Sequence, residues 1–107
     1  VGHITSGAEQ IAQWAPKAKV VKAFNTTGFN IMTDPVLEGR KTVMFVASDD
    51  AAARKQVAEL ATELGFDAVE VGELATARLL EPFALLWISM AYRYGLGRDF
   101  GFAIVKR

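Results

Sequence analysis

Apolar and polar positions alternate between two rhythms along this chain, a run of adjacent apolar residues and a three-to-four-residue recurrence. Val20 to Phe24 is a short, β-branched apolar run that gives way to Asn25, Thr26, Thr27 and Gly28, which predicts a strand ending in a polar loop. Thr42 to Ala47 is a second strand, continuous rather than alternating, as when both faces of a sheet are covered. A helix follows, capped by Ser48-Asp49-Asp50, with Val57, Leu60, Ala61 and Leu64 on one face, Arg54, Lys55, Glu59 and Glu63 outward, and Gly65 as its stop. Ala68 to Val71 is a third strand. The short connections predict parallel pairing within this strand, helix, strand unit.

The flanks read as helices. Ser6-Gly7-Ala8-Glu9 is a capping-box pattern, followed by Ile11, Trp14 and Ala15 on an apolar face and by Pro16 as a stop. Phe29 to Met32 is short enough for one helical turn, Asp34-Pro35 for a turn, and Glu38 to Lys41 for a solvated connection. From Leu74 a long helix is expected, since Leu79, Leu80, Phe83, Leu86, Trp87, Met90 and Tyr94 recur at helical steps and Gly95-Leu96-Gly97 ends them. Pro82 marks a kink or a restart. Phe100 to Val105 fits a last strand or a last helical turn. The whole is an α/β chain.

At 107 residues and 51% hydrophobic content this is one domain or part of one, able to bury a core. Twelve basic and twelve acidic side chains cancel, so no net field draws the protein to nucleic acid or an anionic membrane. There is no cysteine, which excludes disulfides and thiol chemistry, and a cytoplasmic setting is the expectation. His3 is the only histidine, so no metal site is expected. No basic leader with an apolar stretch and cleavage site stands at the start. The densest apolar run, Phe83 to Tyr94, is short of the roughly 20 residues that span a bilayer and is expected to be a core helix.

Little in the sequence looks catalytic. A glycine-rich turn between a first strand and a helix, which lets backbone approach a pyrophosphate, is absent. Gly95 to Gly101 has superficially similar spacing but follows a helix, and ending that helix is its expected role. Glu81 lies within an apolar helix, where an ionised carboxylate needs a partner; Arg78, three residues earlier, is the expected one. Lys22 is expected to face a neighbouring helix or solvent. Ligands of open α/β sheets lie beyond the carboxyl ends of strands, which marks Asn25, Thr26, Thr27 and Gly28 as candidate contacts.

KVVKAFNTTGFNIM, TVMFVASDDAAARKQVAELATELGFDAVEVGEL and ARLLEPFALLWISMAYRYGLGRDFGFAIVKR, in that order, resemble the second half of the NADP oxidoreductases that use a deazaflavin coenzyme (coenzyme F420). Many dinucleotide-binding bacterial enzymes and the cytosolic domain of the six-transmembrane metalloreductases are related. The resemblance implies the C-terminal part of a Rossmann-type sheet, with the glycine-rich first half absent. It places Asn25 and Thr26 beside an NADP cleft, and residues roofing a deazaflavin pocket at Leu74, Ala77, Arg78, Leu80 and Leu85. It implies hydride transfer between a nicotinamide cofactor and a deazaflavin or other small acceptor, with no obligatory acid, base or metal.

The strand Val20 to Phe24 would lack the neighbour that the first half supplies. An open apolar edge invites another chain, so a homo-oligomer or a complex with a separate N-terminal piece is expected, and the isolated chain is expected to be inactive. A rival reading is a non-enzymatic domain whose sheet edge and long apolar helix serve dimerisation or docking.

Overall fold

Val43, Met44, Val46 and Ala47 are each at most 2% exposed, and the strand they form is the middle of the sheet. The computed structural model describes residues 4–107, so His3 lies outside the described residues. In chain order the elements are α1 (Gly7–Trp14), β1 (Val21–Lys22), α2 (Phe29–Thr33), β2 (Val36–Leu37), β3 (Arg40–Lys41), β4 (Val43–Ser48), α3 (Ala51–Glu63), β5 (Asp67–Glu70) and α4 (Ala77–Ile88). A 3₁₀ turn, Leu74–Thr76, leads into α4, and a π-helical turn, Ser89–Arg93, continues it. The main sheet has the order β1-β4-β5; β4 and β5 pair in parallel, as the strand, helix, strand pattern predicts, and β1 is antiparallel to β4.

Successive side chains of β4 serve two layers. Met44 joins Ile31, Ala61 and Phe66 in a core closed by α2 and α3. Phe45 points the other way, edge-on to Phe83 of α4 at 5.9 Å, and Phe83 in turn meets Phe102 at 4.9 Å. Asp50 caps α3 by accepting from the Ala53 amide, and Gly65 ends it at φ +102°. The buried face of α3 is the expected one only in part: Ala61 is covered as predicted, with Ala58 beside it, whereas Leu60 and Leu64 are each 49% exposed. Small residues bring the helix close to the sheet and leave the leucines at its margin.

β1 is shorter than expected because Phe24 takes a left-handed conformation, φ +59°, that ends the strand. Its ring is held edge-on to Phe66. Glu38 to Lys41 is no simple connection. Positive φ at both Glu38 and Gly39 makes a tight two-residue turn of the kind hairpins favour, and β2 pairs with β3. The tail is neither strand nor helix: the Val43 amide donates to Phe102 O at 2.7 Å, and a Cβ on Gly101 would stand 2.6 Å from Thr42 Cγ2.

The helical run Leu74–Arg93 passes through Pro82 without a break, and its 20 residues are long and apolar enough to cross a membrane by length and composition. The expected core helix is only half right. Ala77, Leu80, Trp87 and Ala91 are buried, yet Leu79, Leu85, Leu86, Ile88 and Tyr92 are exposed. On α1, Ile11 and Trp14 are exposed as well, so the expected apolar face of that helix covers little within this chain.

Candidate functional site

Three elements converge at one end of β1: the first turn of α1, the loop after β1 and the start of α4. Ser6 caps α1, its Oγ accepting from the Glu9 amide at 3.2 Å and donating to the Glu9 carboxylate at 3.0 Å. The capping box is thus closed through the serine hydroxyl. The next two amides of α1, those of Gly7 and Ala8, donate to Glu81 Oε1 and Oε2 at 2.8 and 3.1 Å. Lys22 of β1 completes the cluster with Nζ 3.3 Å from Glu81 Oε2.

The expected Arg78–Glu81 pair does not form. Arg78 instead holds Glu9 through two bonds of 2.8 Å, and Glu81 takes the free amides and the positive end of the α1 dipole. Burial pushes the Glu81 carboxyl up, but the two amide bonds and Lys22 outweigh it, leaving it below the ordinary glutamate range. Arg78 lowers Glu9 by hydrogen bonding, and Glu9 raises Arg78 in the same way.

Asn25 lies beside this cluster, with Nδ2 donating to Leu80 O at 2.8 Å. That bond fixes which way the amide points. Asn25 Oδ1 and the hydroxyls of Thr26 and Thr27 are buried without a partner among the described residues, although buried polar groups are ordinarily satisfied. Asn25, Lys22, Ala23, Glu81 and Ala84 line a cleft of about 530 Å³ that runs along the edge of β1 to Ile11. Gly28 has a packing reason to be glycine, since a Cβ there would stand 2.6 Å from the Trp87 ring.

The remaining predicted residues are spread out. Leu74, Ala77 and Leu80 are buried, Arg78 is engaged by Glu9, and Leu85 is 64% exposed. Leu74 donates its amide to Asp49 and lines a separate cleft of about 370 Å³ with Ser48, Asp49 and Asp50. Because β1 runs against β4, the carboxyl end of β1 and that of the β4-β5 pair are opposite rims of the sheet. Asn25 and Leu74 therefore do not share a pocket within this chain. Sequence reasoning missed Lys22 and the Gly7 and Ala8 amides as members of the cluster. The cap at Ser6 was the signal that free amides stood there. Among the described residues no group of three or more His, Asp or Glu is placed to hold a metal.

No family model matches the chain. It is 34% identical over 83 residues to metalloreductase STEAP3 of Rattus norvegicus and 33% identical over 81 residues to metalloreductase STEAP2 of Homo sapiens. Those stretches are 78% and 75% of this chain and only 17% and 16% of the relatives. A crystal structure of a protein assigned as an F420-dependent NADP reductase, from Arthrobacter sp. FB24, superposes with a TM-score of 0.88 at 36% identity. The match covers 98% of this chain and 48% of that one. A hypothetical protein of Sinorhizobium meliloti matches at 38% identity and a TM-score of 0.59, over 65% of this chain and 35% of its own. The chain thus spans about half of the similar solved structure and about a sixth of the metalloreductases. The resemblance to the deazaflavin-dependent NADP oxidoreductases is borne out in three dimensions, and the chain has the α/β fold of about half of such a Rossmann-type protein.

Proposed function

We propose that this chain is the second half of an NAD(P)-dependent oxidoreductase that passes hydride between a nicotinamide cofactor and a deazaflavin or another small acceptor. The likeness over 98% of the chain to a protein assigned as an F420-dependent NADP reductase carries this reading. The preceding half, with the glycine-rich cradle for the pyrophosphate, adds its strands at the open edge of β1. Ile11 and Trp14, exposed on α1, lie against it.

The residues present fit a cofactor carrying amide and hydroxyl groups, because the loop after β1 holds three buried polar atoms without partners. NADP, when bound, supplies or accepts the hydride at its nicotinamide ring. Asn25, Thr26 and Thr27 contribute hydrogen-bonding groups on a loop that Leu80 O and Trp87 hold in place. Glu81 ties α1 and β1 to α4 through the Gly7 and Ala8 amides and Lys22, and Leu85, exposed on α4, is the apolar side chain left free to help keep water from the acceptor. Catalysis of this kind asks the protein for alignment and dryness rather than for an acid or base.

Fluorescence titration with NADPH tests the reading in the protein carrying both halves. Asn25→Ala is expected to weaken NADPH about tenfold while the circular dichroism spectrum stays unchanged, on the order of one hydrogen bond made in a dry site. Unchanged affinity removes Asn25 from the cofactor site, and absence of any NADPH binding by the unsubstituted protein overturns the oxidoreductase reading in favour of the interaction domain.

A further inference from the structure

The β2-β3 hairpin and the tail, far apart in sequence, meet at the start of β5 and enclose a groove of about 480 Å³. Arg40 and Lys41 of β3 and Lys106 of the tail line it, against a single carboxylate, that of Asp67. All three cations are exposed, and none is paired with a carboxylate among the described residues. In a chain whose charges cancel, this is a local excess of positive charge. Ile104 and Val105, 42% and 72% exposed, add apolar surface to the same lining. The groove is held from behind: the tight turn at Glu38-Gly39 sets the hairpin, the Val43 amide pins Phe102 O, and Gly101 lies against Thr42.

Its place on the sheet matters as much as its charge. Because β1 runs against β4, the carboxyl end of β1 shares a rim with the amino ends of β4 and β5. The Phe24 amide donates to Met44 Sδ at 3.0 Å, and Asp67 pairs with Val43, so the Asn25 loop and the groove flank the first residues of β4. Two strand spacings, about 10 Å, separate β1 from β5.

We propose that the groove binds an anionic chain, phosphate and carboxylate groups on a flexible linker, and that this chain is the tail of the small acceptor. Hydride transfer sets the acceptor ring against the nicotinamide, and therefore near Asn25. A linker of a few bonds then brings its charges among Arg40, Lys41 and Lys106. Anionic membrane surfaces are met by clusters of about four to eight cations, and three around a groove suit a chain better. The assignment to the acceptor rests on the oxidoreductase reading; the anion site itself does not. The preceding half joins at β1, two strands from β5, and leaves the groove open.

The protein carrying both halves is titrated with inorganic tripolyphosphate and followed by amide chemical shifts. Shifts are expected at Gly39 to Lys41 and Ile104 to Lys106, and are expected to vanish when Arg40→Gln, Lys41→Gln and Lys106→Gln are combined. These side chains are exposed, so the circular dichroism of the triple variant is expected to be unchanged. Coenzyme F420, which carries such a chain, is expected to bind about tenfold tighter than the same deazaflavin cut back to its ribityl alcohol, and the triple variant to bind the two alike. High salt should erase the same difference. Absent shifts, or shifts that persist in the triple variant, overturn the anion site. Equal affinity for the two deazaflavins, or a preference that the triple variant retains, overturns the place of the tail in it. NADPH affinity, which the triple variant is expected to leave unchanged, reports on the oxidoreductase reading alone. NADPH binding without tripolyphosphate shifts removes this proposal and keeps that reading, and the reverse pattern removes that reading, with the tail, and keeps the anion site.

Discussion

Glu81→Ala is expected to destabilise the chain by about 2 to 4 kcal/mol, the cost of leaving a charged amine and two helix amides without their acceptor. The Glu81 side chain is 17% exposed and that of Lys22 25%, so water restores only part of what is lost. The substitution severs the link among α1, β1 and α4 in one step. Glu81→Gln keeps an oxygen for one amide and is expected to cost about half as much. Urea unfolding followed by circular dichroism separates the two, and equal losses would mean that the charge carries the whole effect and the retained oxygen none of it. The pH dependence has a definite sign. The folded carboxyl lies below its ordinary value of 4.5, so its contribution is complete above that value and disappears as pH falls through the lower, folded one. Glu9 and Asp50 are lowered in the same direction. The acid limb of the stability curve should therefore lie below about pH 4.5 and be shallower in Glu81→Gln.

Trp87→Ala is expected to cost about 3 to 5 kcal/mol, the range for removing a large aromatic side chain from a core. The residue is 5% exposed and joins regions far apart in sequence. Its ring stacks on Phe100 with centroids 5.0 Å apart, and Nε1 donates to Phe100 O at 3.2 Å. The same ring lies against Gly28, so its loss also releases the loop that carries Asn25, Thr26 and Thr27. Trp87→Phe keeps most of the apolar volume and forfeits the hydrogen bond, and is expected to lose less than half as much. Thermal unfolding checks the ranking. A Trp87→Ala melt indistinguishable from the unsubstituted protein would show that the tail and the loop are held by other contacts.

Patterns carried by neighbouring residues were legible in the sequence. The capped start of α1, the buried run of β4, the stop at Gly65 and the parallel β4-β5 pair all follow from local rules, and the structure has them. Features set by distant partners were not. Glu81 chose two amides and a lysine some sixty to seventy residues away over the arginine on its own helix, because the α1 terminus offered free donors. Phe24 ends β1 early through a backbone conformation that a phenylalanine only tolerates when its ring is held. The hairpin at Glu38-Gly39 escaped because glutamate is an unusual occupant of a left-handed turn position. The site was half legible: its polar loop could be read from Asn25 to Gly28, whereas the cleft beside it is made by helices whose approach no local pattern encodes.

The unit formed by β4, α3 and β5 is contiguous from residue 43 to residue 70. Its contacts close only short loops, so it loses little chain entropy on forming and is the natural nucleus for folding. β1 and the Phe100 to Phe102 strap must then be recruited along the other edge of β4, the strap meeting Val43 across almost sixty residues. Late docking of both flanks leaves the loop of Asn25 among the last surfaces to be shaped. Lesions in either flank should therefore accelerate unfolding more than they slow folding.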